Sequence, residues 1–219
     1  MPRCHRALPA LALASLALAS AGSAQPDRAG ERAVTTLPIA LTVATEGGAP
    51  VVSDEWLATQ MRNANRLFSP HGVAFRVVER ERMGPAHARL ETRRDRHALG
   101  QLLHDERIDW FVVRSLRDVD DPSRYRQGVH WRPRGEGVPE GAHLVVTSAI
   151  AGAFVLAHEL GHFFRNGHSD VPGNIMSYES GDGPPAFDAR QGRRIRFELR
   201  RYLRSGELVP LREDAEAAP

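Results

Sequence analysis

The chain has 219 residues, 42% hydrophobic, 26% charged and 6% aromatic. That is the balance of an ordinary globular protein and excludes a collagen, a coiled coil, a polytopic membrane protein and a wholly disordered chain. The formal charge is +2, and setting aside Arg3 and Arg6 near the N-terminus leaves acidic and basic residues balanced, so whole-molecule charge gives no reason to expect nucleic acid or an anionic membrane as partner.

Residues 1–24 read as a secretory signal: Arg3 and Arg6 supply the positive start, Leu8 to Leu18 an apolar run too short to span comfortably, and Ala21-Gly22-Ser23-Ala24 a small-residue cleavage site. The expected product is secreted, extracellular or periplasmic, with no membrane attachment after cleavage. Roughly 195 residues then remain for folding, about one domain's worth. The single cysteine, Cys4, precedes the cleavage point, which excludes a thiolate nucleophile, a thiolate ligand and a disulfide from the mature chain. Residues 25–33 read as a linker, 34–205 as one catalytic domain, and 206–219 as a tail with a frayed end.

Along the domain, residues 37–44 read as a strand. Ser53 opens a helix with Asp54 and Glu55 against its dipole, and Trp56, Leu57, Met61, Ala64, Leu67 and Phe68 recur at helical spacing. Pro70-His71-Gly72 stops it, and residues 73–78 make a second strand. A helix is predicted over 92–105, a strand over 108–113, and a long Arg/Gly/Pro/Asp loop over 117–142 containing a short strand at Gly128–Trp131. Residues 143–147 form a further strand, Ser148 is expected to cap a helix over 149–165, and Asp188 a last helix over 188–204. Strands and helices alternating early, then helices late, predict an α/β fold in which helices pack a mixed sheet.

The chemistry concentrates in residues 157–170, AHELGHFFRNGHSD. His158 and His162, four apart, project from one helix face and can chelate one ion, while Glu159 is offset by about 100° and is placed to reach a water on it. This is the HExxH zinc-hydrolase pattern with the glutamate as general base. A third ligand has to come from outside the helix. His168 follows the turn-forming pair Asn166-Gly167, and three neutral imidazoles would leave a fourth position for water, as in catalytic zinc sites.

With Asn174-Ile175-Met176-Ser177-Tyr178 downstream, residues 157–178 resemble the metzincin clan of zinc endopeptidases. The resemblance implies a twisted sheet above the active-site helix, Zn2+ on His158, His162 and His168, a hydrophobic floor at Met176, and Tyr178 donating its phenol proton to the tetrahedral oxyanion. It also implies an extended protein or peptide substrate laid along an edge strand near Gly128–Trp131. One position departs from the clan: its glycine three residues after the second histidine is replaced by Arg165. A turn shifted onto Asn166-Gly167 is one solution, and it keeps Asp170 and Glu179 open as alternative third ligands.

The remaining histidines receive plainer readings. His71, His87, His97 and His104 are expected to be solvated, and His130 and His143 to lie on strands near the cleft. The arginines of the long loop, Arg114 to Arg134, are expected to pair in part with Asp118, Asp120 and Asp121, or else to favour acidic substrates. The expected function is that of a secreted zinc endopeptidase. The competing readings are a non-catalytic zinc-binding module that recognises peptides and a zinc peptidase of another clan with an acidic third ligand.

Overall fold

The computed structural model describes residues 33–212; the export segment, nearly all of the linker and the end of the tail lie outside them. Six strands form one mixed sheet: β1 (Thr35–Glu46), β2 (Ala49–Pro50), β3 (Val73–Met83), β5 (Ile108–Val113), β7 (Gly128–Trp131) and β8 (Leu144–Ser148). A separate parallel pair joins β4 (Arg89–Leu90) to β6 (Ser115–Leu116). The helices are α1 (Asp54–Phe68), α2 (Arg93–Ala98), α3 (Val155–Phe163) and α4 (Ala189–Ser205).

Strands β3, β1, β5 and β8 are parallel neighbours in that order. On the far side of β8, β7 pairs antiparallel in the register Gly128↔Thr147 to Trp131↔Leu144. Parallel strands covered on both faces read as unbroken apolar runs, and every residue of β5 and β8 is buried. The polar members of these strands are paired where they are buried: the Trp110 indole donates to Thr147 Oγ1 at 2.9 Å. Trp110 also stacks on Trp56 of α1, with ring centroids 6.3 Å apart.

Both long helices start where the caps predict. Ser53 Oγ accepts from Trp56 N at 3.2 Å, and Asp188 with Gln191 forms a reciprocal capping box. Three expectations shift. The second strand runs on to Met83. The helix expected over 92–105 is six residues of α-helix, capped by Thr92, followed by a 3-10 turn at Leu99–Leu102. Ser148 ends β8 instead of capping α3, because its hydroxyl is spent on the Arg126 and Gln127 carbonyls at 3.2 Å each. Helix α3 therefore begins only at Val155, without a side-chain cap.

Several histidines read as solvated are packed. His71 lies against Gly192 of α4 and the Phe187 ring, His97 accepts from Arg134 N at 3.0 Å, and His104 Nδ1 donates to buried Asp109 at 2.7 Å. His130 and His143 contact each other through Nε2 and Nδ1 at 3.0 Å, and His143 stacks on Phe163 with centroids 4.0 Å apart. Burial, then neighbouring positive charge, pushes their pKa values down to about 3 for His130 and about 4 for His143. Such depressed values mean that the stability from keeping the pair neutral is fully present above the ordinary value of 6.5 and is lost as pH falls toward 4 and 3. His143→Gln, which keeps a hydrogen-bonding group but cannot titrate, is expected to show a shallower loss of melting temperature than the parent on acidification, measured on metal-free protein by circular dichroism.

Candidate metal centre

Helix α3 carries His158 and His162 one turn apart, and the chain after it returns His168 to the same point. Among the described residues, His158, His162 and His168 form a group whose ligand nitrogens all lie within 4.8 Å of one another. His162 Nε2 is 3.1 Å from His158 Nε2 and 3.1 Å from His168 Nε2. Two backbone carbonyls fix the tautomers. His158 Nδ1 donates to the Ile175 carbonyl at 2.7 Å and His162 Nδ1 to the Asn166 carbonyl at 2.8 Å. A carbonyl can only accept, so both Nδ1 atoms carry the proton and both Nε2 atoms of the neutral rings present lone pairs. Two acceptors at 3.1 Å repel unless a cation lies between them. The separations match the edge of a tetrahedron with metal–nitrogen distances of about 2.0–2.1 Å, which is roughly 3.3 Å. The residues thus fit a zinc ion. Burial lowers all three imidazole pKa values, that of His162 to about 4, and keeps the rings neutral and ready to ligate.

The turn that returns His168 is made by Arg165, not by the Asn166-Gly167 pair. Arg165 has φ +59°, so it occupies the left-handed position in person, at a cost of roughly 1–2 kcal/mol. Its guanidinium pairs with buried Glu198 of α4 at 3.4 Å, and the Tyr202 hydroxyl, also from α4, donates to the Phe163 carbonyl at 2.7 Å. The helix exit is therefore braced from outside. His168 stands in the ligand group, and neither Asp170 nor Glu179 joins it among the described residues.

Met176 is wholly buried and packs on Gly161, the helix residue before His162; a Cβ at Gly161 would overlap its sulfur and approach the Phe187 ring to 3.3 Å. Ser169 N donates to Met176 O at 3.0 Å, tying the methionine turn to the loop that bears His168. Glu159 is 6% exposed. Burial pushes its pKa up to about 8, against the opposing pull of the His130 N–H, Arg126 and Arg96. Above it, β7 comes so close that a Cβ on Gly128 would lie 2.8 Å from Glu159 Oε1 and 2.6 Å from Val155. Tyr178 is 72% exposed, and its hydroxyl is 2.9 Å from His168 Nε2. Sequence reasoning missed three supports: Gly128, the Asn174–Gln191 pair that holds the methionine turn at 2.9 and 3.0 Å, and Arg126, whose charge reaches Glu159 and His168.

No protein-family model and no curated protein sequence matches the chain. Solved structures do match its fold. Mature mirolysin from Tannerella forsythia, in complex with a cleaved peptide, aligns with a TM-score of 0.54 at 13% identity, over 81% of this chain and 99% of that one. Archaemetzincin from Methanopyrus kandleri aligns at 0.51 and 15%, over 75% and 96%. Metalloproteinase-II from Bacteroides fragilis aligns at 0.52 and 13%, over 77% of this chain but only 54% of that one. The fold is metzincin-like. Within it, the methionine turn and Gly161 are complementary surfaces. Gly161→Ala is expected to weaken metal affinity by about tenfold or more and to cost about 1–3 kcal/mol of stability, measured by chelator competition and denaturant unfolding.

Proposed function

We propose that the protein is a secreted zinc endopeptidase in which His158, His162 and His168 hold the ion and Glu159 is the general base. The observation that carries this reading is the pair of proton-free Nε2 atoms facing each other at 3.1 Å beside a third imidazole, with a buried carboxylate from the same helix. A structural zinc site would close its fourth position with a protein ligand; three imidazoles alone leave one open. The fold likeness to metallopeptidases supports the same class.

When bound, zinc supplies Lewis acidity, polarising the scissile carbonyl and lowering the pKa of a water toward ~7. The remaining work belongs to the chain. Glu159, whose carboxyl a dication at the imidazoles would hold ionised against the burial that raises its pKa to about 8 in the metal-free chain, accepts the proton of the attacking water at a carboxylate oxygen and delivers it to the leaving amine. The Tyr178 phenol, at the rim of the imidazole group, donates to the oxygen on which negative charge develops. Strand β7 is a sheet edge with β8 on one side only, so its outer backbone groups are available to align an extended substrate as a further antiparallel strand. Gly128 lets that edge settle onto α3, so that the aligned peptide bond and the base share one small space. Export is inferred from residues 1–24; among the described residues no helix is long and apolar enough to cross a membrane.

Glu159→Gln decides the reading. The variant is expected to retain one zinc ion per chain by elemental analysis and to lose casein cleavage by orders of magnitude. Undiminished cleavage by a zinc-loaded Glu159→Gln protein would remove the assigned base.

A further inference from the structure

Beside the imidazoles stands a cation that the reaction as described does not use. Arg126 lies two residues before β7. Its Nε and Nη2 both reach a single oxygen of Asp118, Oδ2, at 2.7 Å. Asp118 is itself buried, and its other oxygen accepts the Asp120 and Asp121 backbone N–H groups at 3.0 and 3.3 Å. The guanidinium is thus oriented by a fixed partner while 42% of the side chain stays exposed. Its charge is felt at His168 and Glu159 and is favoured by the Tyr178 phenol, whose oxygen is 2.9 Å from the ligand nitrogen of His168. A merely structural ion pair needs no outlet into the reacting space. This one borders it.

Strand direction says which part of a substrate would meet Arg126. Gly128 lies over Glu159, so the bond to be cut is brought to the first residue of β7. A peptide aligned antiparallel to β7 runs backwards past it, and its residues C-terminal to the cut, the leaving side, extend toward the start of the strand and the segment before it. That segment carries Arg126. Asp118 occupies two of the five guanidinium donors, and the outward donors suit a carboxylate, the partner whose planar geometry a guanidinium matches.

We infer that Arg126, oriented by Asp118, selects substrates bearing a carboxylate on the leaving side of the scissile bond. The inference rests on the peptidase reading and adds a substrate class to it. The carboxylate has two sources, an acidic side chain just after the cut or the substrate's own C-terminus. The first describes an endopeptidase with an acidic preference, the second an enzyme that trims chain ends. Asp118 is a positioning residue in both.

Three matched peptide sets separate these outcomes on the zinc-loaded protein: Glu after the cut with an amidated C-terminus, Gln there with a free C-terminal carboxylate, and Gln with an amidated C-terminus. One of the first two is expected to exceed the third in kcat/KM by about tenfold or more, mainly through KM, and which one does so names the source. Arg126→Gln is expected to bring that ratio to about one, Arg126→Lys to restore part of it, and Arg126→Glu to favour Lys in place of Glu after the cut. Asp118→Asn should shrink the ratio without changing zinc stoichiometry. Equal kcat/KM for all three sets in the parent, or a ratio unchanged in Arg126→Gln, overturns the inference. Binding of the same peptides to zinc-loaded Glu159→Gln, followed by calorimetry, gives the same discrimination without turnover. If the parent cleaves nothing while this binding preference persists and vanishes with Arg126→Gln, the peptidase reading fails and the carboxylate site stands.

Discussion

The structure turns on a repulsion. Two imidazoles whose protons are committed to carbonyls point their lone pairs at each other across 3.1 Å, an arrangement that only an intervening cation makes favourable. Everything that keeps it must hold the carbonyls as well as the rings. For His158 the chain of support is traceable. The Ile175 carbonyl belongs to a turn in which Met176 N donates to Asn174 Oδ1 at 2.8 Å and Ile175 N to the Ala186 carbonyl at 2.9 Å. Asn174 in turn exchanges hydrogen bonds with Gln191. Gln191 is the residue that closes the capping box of α4 with Asp188. The cap of the last helix and the tautomer of His158 are therefore ends of one hydrogen-bonded relay.

The same helix supports the other end of the site. A bulky residue in the left-handed region at Arg165 would by itself favour a different exit from α3. Glu198 and Tyr202, one turn apart on α4, supply the compensation: the carboxylate takes the Arg165 guanidinium, and the phenol takes the Phe163 carbonyl left open by the end of α3. Glu198 also holds Arg201 at 2.8 Å, so its charge is neutralised where it is buried. Strain at one position is tolerated because a neighbouring element over-determines it. A glycine would have removed the strain and the ion pair together.

What could be read in the sequence follows from how local each signal is. The caps at Ser53 and Asp188, the apolar run of β5 and the four-residue spacing of His158 and His162 all act within one turn or one strand. The start of α3 was not legible because residues 149–154 are almost wholly apolar and carry no period that separates helix from buried loop. Ser148, a good cap by type, is taken by strand carbonyls that no local pattern announces. His71, His97 and His104 were misread for the same reason, since their partners Phe187, Arg134 and Asp109 come from other elements or across a turn. Arg126 was visible only as one arginine among many. Its distinction, a buried carboxylate behind it and the imidazole group before it, exists only once 118, 126 and 178 are brought together. The grouping of the three histidines was legible because sharing one ion demands residue types as well as spacing.

Gly128 shows how one missing side chain ties these parts into a single device. Strand β7 is short, at the sheet edge, and joined to β8 over four residue pairs. An edge this small is anchored at its entry, where Ser148 N donates to Gln127 O at 2.8 Å and Gly152 N to the Gln127 side chain at 2.8 Å. With the entry pinned to the segment that leads into α3, the next residue meets Val155 and Glu159 at distances that admit only hydrogen. Strand β7 and the helix that carries Glu159 are then in register by contact, without a flexible element between them. For the proposed reaction, such coupling would give the reacting groups fixed relative positions before a substrate arrives, the condition under which proximity contributes most to rate. It also accounts for the burial of Glu159, which the β7 backbone covers at Gly128.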